Sequence, residues 1–201
     1  MLIWKSNIFL FIMDETPEVS GDLILDQVYI SNKNMIRDLE EKGYGEIQKQ
    51  KLLLKQFETL YLLYTNKLIL KKNKTQINFD TYMSVCQKTN SEILTKFLIF
   101  RDLKTRGYVV KDGFGFGSDF RVYERGNYGL KDAKFIIFAF NEGTQQKLGK
   151  LYKNIEEITK MGKEPIIAVI ERRGEIIYYK INKMNFLENK PEFEMKDFNF
   201  N

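Results

Sequence analysis

The chain has 201 residues, 43% of them apolar, enough for a packed core in one large domain or two small ones. Lys and Arg number 32 against 27 Asp and Glu, a mild basic excess that suits either a polyanionic partner or an ordinary solvated Lys/Glu surface. Histidine is absent and Cys86 is the sole cysteine, which excludes an internal disulfide, argues against structural zinc, and fits a reducing cytoplasm.

In chain order, the apolar run from Ile8 to Met13 is too short to cross a bilayer, so no membrane partner is expected. A lone Lys5 before it, and no small-residue cleavage site after it, argue against a signal peptide. Residues 1–19 are either a mis-called extension, with Met13 the true start, or a short edge strand. Residues 20–89 read as a small N-terminal α/β domain. It opens with a strand pair at 20–30, then a short helix at 35–42 closed by Gly43 and Gly45. Leu52, Leu53, Phe57, Leu60, Tyr61 and Tyr64 recur at helical spacing and predict an amphipathic helix of about five turns. A strand at 67–71, the polar turn Lys72-Asn-Lys-Thr-Gln and a helix at 79–88 complete this unit.

Residues 90–189 read as a second domain. A helix opening at Asn90 or Ser91 runs through Leu94, Phe97, Leu98 and Leu103 to Gly107, after the cationic Lys104 and Arg106. Strands follow at 108–111 and 119–123, around the turn Gly113-Phe-Gly-Phe-Gly117. Those glycines precede a strand rather than a helix, so a hairpin is expected and not a dinucleotide site. The apolar stretch 134–140 predicts a strand buried on both faces. A helix carrying Leu148, Leu151, Tyr152, Ile155 and Ile158 on one side leads to a second buried strand at 165–170, which implies a right-handed parallel crossover. Glu171-Arg-Arg-Gly174 turns into a last strand at 175–181, and residues 190–201 form a polar tail.

Five stretches, in this order, carry a family likeness. They are Lys42-Gly-Tyr-Gly45 with Leu52-Leu-Leu-Lys-Gln-Phe-Glu-Thr-Leu-Tyr-Leu-Leu63; Asn66-Lys-Leu-Ile; Arg101-Asp-Leu-Lys-Thr-Arg-Gly-Tyr-Val-Val-Lys; Phe116-Gly-Ser-Asp-Phe-Arg-Val-Tyr123; and Lys163-Glu-Pro-Ile-Ile-Ala-Val-Ile170 with Gly174-Glu-Ile-Ile-Tyr-Tyr-Lys. Together they resemble the archaeal tRNA-intron splicing endonucleases. The resemblance implies an α+β fold, with the small N-terminal α/β domain followed by a restriction-endonuclease-like C-terminal domain. It also implies cleavage of precursor tRNA at bulge–helix–bulge sites with no metal or cofactor. A 2′-OH attacks the adjacent phosphate and leaves 2′,3′-cyclic phosphate and 5′-OH ends. A Tyr is the family's base, a His its acid, and a Lys steadies the charged transition state.

On this sequence the Tyr position matches Tyr123 and the Lys position matches Lys163. The His position holds Asp132, so the remnant triad is Tyr123, Asp132 and Lys163. A normal Asp is ionised at neutral pH and could donate a proton only if burial lifted its pKa by about 3. Losing a general acid typically costs roughly 10²–10⁴-fold in rate. Glu156 also stands where catalytic members carry a base-clamping Arg. The implied role is a structural subunit of an α₂β₂ heterotetramer, with a catalytic partner that keeps the histidine. Glu171, Glu175, Ile176, Ile177, Tyr178 and Tyr179 are the expected assembly segment, an open edge strand beside a docking turn, although Arg172 and Arg173 interrupt its acids. Three rival readings stand beside this one. The chain is a competent nuclease with a degenerate Tyr/Asp/Lys site; or a Mg²⁺-dependent nuclease using Asp119, Asp132 and Lys134; or an RNA-binding module that cleaves nothing.

Overall fold

The computed structural model describes residues 19–113, 115, 117–143 and 148–181. The expectations for the N-terminal extension up to residue 18, for Phe114 and Phe116, for the Leu148 side chain and for the tail after 181 fall outside the described residues. Among the described residues no helix is long and apolar enough to cross a membrane.

The fold is mixed α and β, built on two sheets. In the first, β1 (Val19–Ile24) and β2 (Gln27–Ile30) form an antiparallel hairpin, the strand pair expected at 20–30. Its turn residues Leu25 and Asp26 have φ of 47° and 66°, the geometry that follows the natural twist of paired strands. Helix α1 (Lys33–Glu41) starts at Asn32, whose side chain accepts from the amides of Asn34 and Met35, and it buries Ile36 and Leu39.

The next segment corrects the sequence reading. Instead of one long helix over Leu52 to Tyr64, the chain forms β3 (Glu46–Gln48), a tight turn at Lys49 and Gln50, β4 (Lys51–Leu54) and only then α2 (Gln56–Tyr64). Leu52 and Leu54 lie opposite Ile30 and Val28 of β2, so pairing with a distant strand overrides a helical period that Leu52 and Leu53 happen to continue. Strand β5 (Leu68–Lys72) lies parallel to β1. The expected polar turn after it continues into a further edge strand, β6 (Thr75–Ile77), ahead of α3 (Phe79–Thr89). The strand order is β3-β4-β2-β1-β5-β6.

In the second unit, α4 (Ile93–Thr105) begins later than Asn90, whose side chain instead holds the Glu92 amide in the preceding turn. It ends as the glycine signal predicts. Gly107 has φ of 84°, its amide donates to the Lys104 carbonyl, and Tyr108 donates to Leu103. Strands β7 (Val109–Asp112), β8 (Phe120–Tyr123) and β9 (Phe135–Asn141) follow. Helix α5 (Leu148–Lys160), β10 (Glu164–Ile170) and β11 (Ile176–Lys180) complete the unit, whose sheet runs β11-β10-β9-β8-β7. Only β9 and β10, joined through α5, are parallel.

One face of this sheet packs on α4 and, beyond it, on α2 of the first unit. Phe100 is fully buried, with ring centroids 4.9 Å from Phe57, 5.6 Å from Tyr61 and 6.3 Å from Phe120. The two units therefore share one continuous core. The other face is covered by α5, where Ile136, Phe138 and Ile158 form a small second cluster with Leu151 and Ile155 at its margin. Tyr152, expected on the same side of α5, points to solvent instead.

Candidate active site

Strict alternation along β8 prepares the site. Phe120 and Val122 face the core, so Arg121 and Tyr123 must face the α5 side. The chain then folds back through a loop of short turns. Asn127 donates to Glu124 through its backbone amide and its side chain, and the Leu130 and Lys131 amides both donate to the Asn127 carbonyl. Lys134 closes the loop, pairing with Glu124 and donating its amide to Val122. This fold-back lays Asp132 and Ala133 beside Tyr123. From the other direction, α5 ends at Lys160, Gly162 turns the chain with φ of 72°, and Lys163 follows at once.

Tyr123, Asp132 and Lys163 thus come from a strand end, a loop and a helix exit, and all three line one pocket of about 250 Å³. Arg121 lines it as well, and Ile136, Ile158 and Met161 supply its apolar wall. The Lys163 ammonium donates to the Ala133 carbonyl at 2.8 Å and lies 3.9 Å from an Asp132 carboxylate oxygen. The two partners differ sharply: the Lys163 side chain is 21% exposed, that of Asp132 98%. Tyr123 meets Tyr128 edge-to-face at 5.0 Å. Tyr128 was invisible to motif reading; the Asn127-Tyr-Gly129 turn was its only signal.

The Asp119, Asp132 and Lys134 set is not brought together. Asp119 sits at the far end of the β8–β9 pairing, where it accepts from the Ala139 amide at 2.8 Å and pairs with Lys96 at 2.8 Å. Lys134 is committed to Glu124 and lies 3.8 Å from Glu164. Glu156 lies on α5, 3.5 Å from Lys160.

Among the described residues, strand β11 is the sheet edge, paired with β10 alone. Ile176 and Tyr178 pack on the core side, and the Tyr178 hydroxyl donates to Asp102 at 2.7 Å. Burial, helped by that carboxylate, pushes the Tyr178 phenol well up. By alternation Ile177 and Tyr179 take the opposite face, with Tyr179 exposed. In the turn before β11 the Glu171 amide donates to the Glu175 carbonyl, Glu175 is exposed, and Arg172 is tied to Glu142.

A buried ionisable group also escaped the sequence reading as a site. Glu58, in the first turn of α2, is 1% exposed and accepts from the amides of Gly45 at 3.0 Å and Lys55 at 2.8 Å. Burial pushes its carboxyl up to about 7, against those two hydrogen bonds and the nearby Lys111. Lys111, from β7 of the second unit, donates to the Gly45 carbonyl across the junction. A Glu two residues inside a helix start is the sequence signal for this cap.

Comparison with known proteins fits this geometry. Residues 19–83 match the tRNA intron endonuclease N-terminal domain, and residues 93–178 match the tRNA intron endonuclease catalytic C-terminal domain. The tRNA-splicing endonuclease of Methanococcus maripaludis is 32% identical over 157 residues, 78% of this chain and 89% of that protein. The chain belongs to the tRNA-splicing endonuclease family. Within the family, the tRNA-splicing endonuclease of Methanococcus vannielii is 29% identical over 157 residues, again 78% of this chain and 89% of that protein. That of Pyrococcus furiosus is 26% identical over 162 residues, 80% of this chain and 94% of that protein.

Proposed function

We propose that this chain is a structural subunit of an intron-excising tRNA-splicing endonuclease, paired in an α₂β₂ assembly with a subunit that retains the catalytic histidine. The observation that carries the proposal is Asp132. It occupies the acid's place in the family motif, and its side chain is 98% exposed. It brings a carboxyl group, where the family's acid is an imidazole that gives its proton to the departing 5′ oxygen. It also sets a negative charge beside the pocket that the scissile phosphate would enter, 3.9 Å from the Lys163 ammonium meant to steady that phosphate. Glu156, where an Arg is expected, adds a second charge of the wrong sign on α5.

The rest of the framework suits an assembly role. Tyr123 and Lys163 keep the fold and the pocket, and the open β11 edge with its exposed Tyr179 offers a partner strand a ladder of backbone groups. The substrate on this reading is precursor tRNA with bulge–helix–bulge boundaries, cut without metal in the cytoplasm at the partner's sites. The test is cleavage of such an RNA in EDTA by the chain alone, by the histidine-bearing family member of the same genome, and by the two together. Excision by the mixture and none by the lone chain is expected. Excision by the lone chain at a comparable rate would overturn the structural role.

A further inference from the structure

The Lys163 pocket is one end of a longer trough. Tyr123 and Asp132 also line a second, more open groove of about 540 Å³, whose far wall is the Arg37 and Glu40 face of α1 and which Tyr128 also lines. Arg37 and Glu40 in turn line a third depression of about 350 Å³, between α1 and the β3 hairpin, which reaches Lys33. Tyr123 and Asp132 are common to the first two and Arg37 and Glu40 to the last two, so a ligand leaving the pocket past Tyr123 meets α1 of the N-terminal unit.

The lining chemistry suits a phosphate backbone with intermittent base contacts. Arg121 and Lys163 stand at the pocket end, Lys131 in the middle, and Arg37 and Lys33 at the far end. These five cations face Glu40, Glu41 and Asp132, an excess of positive charge along the path. Lys33 and Arg37 are four residues apart on one helix and so present their charges about one turn, ~6 Å, from each other. Arg37 is bridged to Glu41, but both side chains are more than half exposed, and such a bridge contributes little in water. A guanidinium so placed can exchange a carboxylate for a phosphate, which it binds through two parallel hydrogen bonds. Tyr128 and the exposed Leu130 on the rim supply surfaces on which unstacked bases can rest.

We propose that this trough carries a strand of the substrate RNA, outside the partner's cleavage sites, onto the N-terminal unit, with Lys33 and Arg37 as its phosphate contacts. The inference rests on the reading of this chain as an endonuclease subunit. It adds that a subunit without working chemistry still grips substrate through a surface outside the nuclease-like unit.

The test uses the full chain assembled with its histidine-bearing partner. The probe is a bulge–helix–bulge RNA made uncleavable by 2′-deoxy substitution at the scission positions. Affinity is measured by fluorescence anisotropy across a salt series, and assembly by light scattering. The double variant Lys33→Ala/Arg37→Ala is expected to bind on the order of tenfold more weakly. Its log–log salt slope should be shallower by about 1.4 to 1.8, at roughly 0.7 to 0.9 per lost phosphate contact. The control Lys72→Ala/Lys74→Ala removes equal charge from the β5–β6 hairpin at the opposite end of the first sheet and should change the slope little. Equal losses in both variants would reduce the effect to net charge and overturn the proposal. Unchanged binding by the first variant, or loss of assembly in place of RNA affinity, would overturn it as well while leaving the endonuclease reading intact. A wild-type assembly that binds no RNA would overturn both.

Discussion

Glu58 offers the sharpest quantitative check on the fold, because its whole environment is enclosed. The carboxyl is 1% exposed and its value rises from an ordinary 4.5 to about 7, with burial the dominant cause. Below pH 4.5 the folded and unfolded chains both hold this proton. Between 4.5 and 7 the unfolded chain has released it while the folded chain keeps it, so the folded state loses stability as pH rises through that window. At about 1.4 kcal/mol per pH unit the loss comes to about 3 kcal/mol, complete above pH 7. Glu58→Gln removes the titration and also costs something at every pH. Its amide oxygen can accept from Gly45 or from Lys55, but its NH₂ group then faces the other backbone donor, which leaves a buried amide unsatisfied at roughly 1–3 kcal/mol. The variant should therefore be clearly less stable than the parent at pH 5 and close to it, or more stable, at pH 8. Urea unfolding of both proteins at pH 5, 6, 7 and 8 measures the difference. A constant gap across the series would refute the reasoning, because it would mean that the folded chain holds Glu58 ionised throughout.

Further substitutions probe the core, the junction, the site and the edge. Phe100→Ala, at the aromatic contact shared by the two units, should cost about 3–5 kcal/mol in denaturant unfolding and should melt both units together. Gly43→Ala should cost about 2–5 kcal/mol, since Gly43 has φ of 78° and an added Cβ would meet Val109 Cγ1, across the junction, at 2.3 Å. Asp132→His should raise the lone chain's single-turnover cleavage of precursor tRNA by about 10²-fold, the low end of the general-acid range, because Glu156 still lacks the clamp. No gain would count against the proposed role of the missing acid. Tyr179→Lys should weaken assembly at least about tenfold by light scattering without lowering the melting temperature, since the side chain is half exposed; an unchanged mass would remove β11 from the interface.

How far the sequence could be read differs from one segment to the next. Local signals held wherever neighbours in the chain decide the conformation. Gly107 and Gly162 end their helices in left-handed geometry, the alternation of Phe120, Arg121, Val122 and Tyr123 assigns their faces, and the apolar 134–140 stretch becomes a central strand. The same is true of the absence of histidine, which needs no coordinates to see. Local signals failed where a distant partner decides. Leu52 to Leu54 fit a helical period, yet they form a strand because β2 and β3 supply the hydrogen bonds, and no window around them contains Val28 or Ile30. Strands β3 and β6 are three residues each, too short to carry a pattern of their own.

What the amino-acid order alone determined, then, is the element inventory of the second unit and the chemical type of each group in its candidate site. Tertiary structure decided the rest: that a strand end, a loop and a helix exit bring Tyr123, Asp132 and Lys163 to one pocket, that Asp132 stands in water, and that Glu58 is enclosed at the junction. Solvent exposure and electrostatic neighbourhood belong to space and not to the chain, because both are set by residues tens of positions apart that meet only when the sheets close.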